Sequence, residues 1–173
     1  MHRTLIASIL GLAVSTLGAY GQASVLFDNY ASNAGQVLWT TDVSKAPTGR
    51  AGTPVMAADN FKVNLEWWTG LFHGDAGLAV PVGDDGYFSG PVVILTGYTA
   101  PSSITFKVLA WDGTDYAHST AAGSVTWTDP LLDPYPAGAL HMPNLYVELV
   151  PEPSALVLAG LGAGMLLCAR RRG

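Results

Sequence analysis

The sequence predicts an all-β fold, an antiparallel β-sandwich of jelly-roll or immunoglobulin-like type, across residues 24–149. Three observations point there. Apolar and polar residues alternate along several runs, turn-forming pairs punctuate those runs, and no window carries the 3.6-residue apolar period of a helix.

The runs come in this order. Short strand candidates cover residues 24–28 and 36–41. Phe61, Val63, Leu65 and Trp67 then alternate with Lys62, Asn64, Glu66 and Trp68, which gives one face to the core and one to solvent. A short candidate at 91–95 follows. Ile104, Phe106, Val108 and Ala110 alternate with Thr105, Lys107, Leu109 and Trp111. Another candidate spans 123–128, and Leu145, Val147 and Leu149 alternate with Tyr146, Glu148 and Val150. The turn signals are Asp84-Asp85-Gly86, Ser89-Gly90-Pro91, Asp112-Gly113 and Asp133-Pro134. Residues 131–143, with Pro134, Pro136 and Pro143, read as a loop across one end of the sandwich. Seven to nine short strands in about 125 residues suit two packed sheets.

The chain has 173 residues, of which 49% are hydrophobic and only 12% charged, against about 25% charged in ordinary soluble chains. Two nearly acid-free ends explain the difference. Residues 1–23 have the zones of a secretory signal: His2 and Arg3 open it, an apolar run follows, and Gly21-Gln22-Ala23 supplies small residues for cleavage between Ala23 and Ser24 by signal peptidase. The opposite end, residues 150–173, carries a fifteen-residue uncharged run at 155–169 and then Arg170, Arg171 and Arg172. As a helix that run is about 22 Å long, short of the ~30 Å hydrocarbon layer, so it suits a transient hold in the inner membrane better than a permanent anchor. Its arginines act as a cytoplasmic stop signal and leave the body outside, the side to which the N-terminal signal sends it.

Between Ser24 and Pro153, all 13 acids face only Lys45, Arg50, Lys62 and Lys107, a net charge of −9. Such a body repels nucleic acid. The single cysteine, Cys168, lies in the tail, so no disulfide supports the exported part.

Just before the hydrophobic run, Pro151-Glu152-Pro153 can neither continue a strand nor sit inside a helix. It is expected to be extended and open to a protease. This tripeptide, followed by a short hydrophobic run and a terminal arginine cluster, resembles the PEP-CTERM sorting signal of bacterial exported proteins. The resemblance covers residues 150–173. It implies recognition of Pro151, Glu152 and Pro153 by an exosortase-like membrane protease-transpeptidase, removal of the tail, and delivery to the cell surface or the exopolysaccharide matrix of a Gram-negative bacterium.

Signals of catalysis are sparse. No Gly-x-Ser-x-Gly turn occurs, and His73, His118 and His141 lack the tight spacings of a zinc site. The expected body is therefore non-catalytic and needs no cofactor. Calcium is a secondary expectation at Asp84, Asp85, Asp112 and Asp115, because adjacent loop carboxylates supply the oxygens a hard cation needs. Trp67, Trp68 and Trp111 are candidates for stacking against a glycan if they reach solvent. The alternatives to a plain surface protein are thus a carbohydrate-binding or calcium-dependent adhesion module and a small secreted hydrolase with convergent acids or histidines.

Overall fold

The computed structural model describes residues 23–30, 35–96, 103–130 and 141–151. In chain order its strands are β1 (Ala23–Asp28), β2 (Val37–Trp39), β3 (Lys62–Thr69), β4 (Phe72–Asp75), β5 (Val80–Pro81), β6 (Ser89–Leu95), β7 (Ser103–Trp111), β8 (Ala121–Pro130) and β9 (Leu145–Leu149). Only short 3-10 turns accompany them among the described residues, so the fold is all-β. The N-terminal signal, the hydrophobic run at 155–169 and most of the 131–143 loop lie outside the described residues.

Seven strands form one sheet in the order β2-β9-β8-β7-β3-β4, with β5 also paired to β3. The remaining two, β1 and β6, form an antiparallel ribbon. The layers are therefore unequal. Neighbours in the large sheet are antiparallel except β2 and β9, which run parallel from Val37↔Leu145 to Trp39↔Val147.

The alternating runs explain which face is covered. Phe61, Val63, Leu65 and Trp67, together with Ile104, Phe106, Val108 and Ala110 of β7, are all buried. They share one apolar cluster with Val25 and Phe27 of β1 and with Val93 and Leu95 of β6. Each large side chain so buried contributes about 1.5–3 kcal/mol. The opposite face is polar: Thr105 meets Thr128 across β7 and β8 at 2.9 Å, and Lys107 lies 3.6 Å from Glu66.

The run Ser89-Gly90-Pro91, expected as a turn, is instead the start of β6. Between the pairs Leu26↔Val92 and Asp28↔Ser89, β1 advances two residues while β6 advances three, so the extra residue is a bulge on β6. A Cβ at Gly90 would lie 2.8 Å from the Phe27 carbonyl oxygen, which is why glycine stands there. Pro91 has no N–H to donate, and a bulge is one place where a strand tolerates that.

Two carboxylates tie irregular segments to this frame. Asp59 is pushed up by burial, but hydrogen bonds from Arg50 and the Met56 N–H, with the Arg50 charge, outweigh that and hold its pKa below the ordinary value. Asp75 accepts from Asn64 Nδ2 at 2.7 Å and from the Gly77 N–H at 2.8 Å, and its pKa is lowered too. A depressed folded pKa gives stability that is fully present above the unfolded pKa of about 3.9 and is lost as pH falls through the folded value. The urea midpoint should therefore be flat from neutral pH to about pH 5 and fall below pH 4. Asp75→Asn should make that acid limb shallower, and an unchanged limb would refute the assignment.

Candidate functional site

The described body places the sequence-predicted residues in different settings. Trp67 is 3% exposed and Trp111 7% exposed, so neither offers a ring face to a glycan. The Trp67 indole lies in the core and donates from Nε1 to the Thr96 carbonyl at 3.2 Å. Trp111 points to the outer face, but Tyr116 closes over it edge-on, with ring centroids 6.5 Å apart. Trp68 alone is half-exposed, and one face of its indole is stacked on His73 at 4.7 Å and 12°.

The calcium candidates do not converge. Asp112 accepts from the Thr120 N–H at 2.7 Å, the Thr120 hydroxyl at 2.5 Å and the Ala121 N–H at 2.8 Å. It thereby latches the loop between β7 and β8. Asp115 caps the turn at Tyr116–His118 by accepting from the His118 N–H at 2.9 Å, and its other partner is the His118 ring. These bonds lower the Asp115 pKa. Both carboxylates are accounted for by local hydrogen bonding. Among the described residues no group of three or more His, Cys, Asp or Glu side chains could hold a metal ion.

Asp84 and Asp85 sit elsewhere, on the rim of a surface groove of about 560 Å³ that also takes in Tyr30, Tyr87 and Ser89. Sequence reasoning did not single out the two tyrosines. Their signal was faint because they are 57 residues apart and neither belongs to an alternating run. Tyr30 is 72% exposed and meets Tyr87 edge-on, with centroids 5.4 Å apart and planes at 84°.

The groove's floor is held rigidly. Asn29 is fully buried, and its Nδ2 donates to the Gly35 and Gly86 carbonyls at 2.9 and 3.2 Å. Its Oδ1 accepts from the Phe88 N–H at 2.7 Å. Gln36 Nε2 donates to the Asp85 carbonyl at 2.9 Å. Gly86, at φ +73°, packs so close that a Cβ would lie 2.3 Å from the Val37 carbonyl oxygen. These ties hold Asp85 at φ +62°, in the left-handed region that aspartate tolerates better than most residues. Among the described residues its carboxylate has no hydrogen-bond partner, while Asp84 Oδ1 accepts from the Ala57 N–H at 3.2 Å.

At the other end of the body, β9 finishes with the Leu149 N–H donating to Lys45 and the Val150 N–H donating to Thr120. Pro151 follows, exposed and without an N–H to extend the ladder. Glu152, Pro153 and the terminal arginines lie outside the described residues. The body is thus an all-β domain whose last backbone tie among the described residues immediately precedes Pro151. Residues 149–172 match the family model of the PEP-CTERM protein-sorting motif. The chain thus carries a PEP-CTERM sorting motif, and that motif implies export and membrane-associated sorting by an exosortase toward the cell surface. No curated protein and no solved structure matches the chain.

Proposed function

We propose that the chain is a non-catalytic surface or extracellular-matrix protein of a Gram-negative bacterium, whose tail is removed by an exosortase-like protease. The observation that carries this reading is the sorting motif at residues 149–172. The Val150 tie, the last among the described residues, supports it, because Pro151 then follows a folded stop and is itself exposed. In this reading signal peptidase cuts between Ala23 and Ser24, which removes only the Ala23↔Leu95 pair from the ribbon. The hydrophobic run holds the exported body at the inner membrane until the tail is cut, and the matrix that receives the body is exopolysaccharide.

Replacing Pro151, Glu152 and Pro153 by alanines should leave a larger, membrane-retained species. Mass spectrometry of both ends of the released wild type should find Ser24 first and the terminal arginines gone. Release of the triple-alanine chain with a normal C-terminus would sink the proposal.

A further inference from the structure

We infer that the groove beside Tyr30 and Tyr87 binds an uncharged hexopyranose glycan. Its volume of about 560 Å³ lies within the roughly 300–1,000 Å³ typical of ligand sites. What lines it fits sugar chemistry. A pyranose ring has an apolar C–H face and an equatorial rim of hydroxyls, so it needs an exposed aromatic ring and nearby acceptors. Tyr30 presents such a ring, and its edge-on contact with Tyr87 fixes the ring's orientation without covering it. Asp85 supplies a carboxylate with no other partner among the described residues, and two adjacent sugar hydroxyls can donate to its two oxygens.

Asp84 keeps one oxygen beyond its bond to the Ala57 N–H, and the Ser89 hydroxyl lies on the same rim. The groove is preformed, since Asn29 and Gln36 hold the segment that carries both acids. Little ordering is then lost on binding. Charge sets the ligand class. Among the described residues no lysine or arginine lines the groove, two carboxylates do, and the body is strongly acidic, so uronate-rich or sulfated polymers are repelled. The tryptophans singled out by the sequence are a poorer fit, because Trp67 and Trp111 are buried and one face of Trp68 is covered by His73.

The test is affinity electrophoresis of the full chain, in a zwitterionic detergent rather than a glycoside one, through gels containing dextran, mannan or pullulan, with alginate as the anionic comparison. At least one neutral polymer should retard the wild type. Tyr30→Ala should weaken that retardation about tenfold, and Asp85→Asn by about fivefold. Both substitutions should leave the melting temperature unchanged, since Tyr30 is exposed and asparagine also tolerates the left-handed backbone. Retardation by none of the neutral polymers, or by alginate alone, overturns the inference. So does retardation that survives both substitutions, or that Trp68→Ala abolishes while Tyr30→Ala spares. A calcium-dependent rise in melting temperature, lost in Asp85→Asn and accompanied by no retardation, would mark the groove as a cation site and overturns it equally. None of these outcomes bears on the sorting of the chain, which is read from its ends.

Discussion

Phe106→Ala is expected to destabilise the body by about 3–5 kcal/mol. Phe106 lies on β7, flanked by β8 and β3, with Trp127 and Trp67 as its cross-strand partners. It is fully buried, and its ring tilts onto Trp127 with centroids 5.5 Å apart. Neighbours on both sides are pinned by the ladders, so the space left by the ring cannot collapse. The loss exceeds the transfer free energy of the missing atoms for that reason. A domain of this size is stable by about 5–15 kcal/mol, so the variant should lose a large part of its margin and melt roughly 10–20 °C lower. Leu109→Ala, three residues on and facing the other way, should cost less than about 1 kcal/mol. Equal losses at the two positions, measured by urea denaturation, would mean that the inside and outside of β7 are wrongly assigned.

That contrast rests on the part of the fold that is legible in the sequence. Strict alternation marks β3 and β7 because one face of each is buried along its whole length, and the alternate residues Phe61, Val63, Leu65 and Trp67, with Ile104, Phe106, Val108 and Ala110, are all buried. The missed strands, β4 and β5, have no such record. Phe72–Asp75 contains an exposed phenylalanine and a glycine whose position is set by the Trp67 indole, 2.2 Å from where a Cβ would lie. Val80–Pro81 is too short to show a period. Pairing is invisible for a different reason: β2 and β9 join residues more than a hundred apart, and nothing local in Val37–Trp39 names its partner.

The candidate site was less legible. Period fixes the face on which Trp111 stands but not the Tyr116 ring that covers it, because cover comes from a loop. Asp112-Gly113 reads first as turn chemistry and second as cation chemistry, and only the positions of Thr120 and Ala121 show where the carboxylate is spent. The tail behaves oppositely. Its information is a linear order of chemical types read by a protease, so the sequence alone suffices for it.

Asn29→Ala is the second large effect, because it strikes stability and the groove together. The amide bridges three backbone groups across 6 to 59 residues of chain. Truncation leaves the Phe88 N–H and the Gly86 carbonyl without that partner, at about 1–3 kcal/mol for each buried group left unsatisfied. The combined cost should reach about 3–5 kcal/mol, less than a simple sum if the 83–88 segment shifts to reach water. Such a shift moves Asp85 and Tyr87, so glycan retardation should fall even at temperatures where the variant stays folded. Asn29→Asp separates the two contributions. It keeps an acceptor for Phe88 but aims a carboxylate at two carbonyl oxygens, which raises its folded pKa above the unfolded value. Stability from its protonated form is present at low pH and lost as pH rises through that raised pKa. Asn29→Asp should therefore gain stability relative to the wild type as pH falls from 7 to 5. A constant difference across that range, measured by urea denaturation, would show that the Asn29 side chain does not face the Gly35 and Gly86 carbonyls in solution.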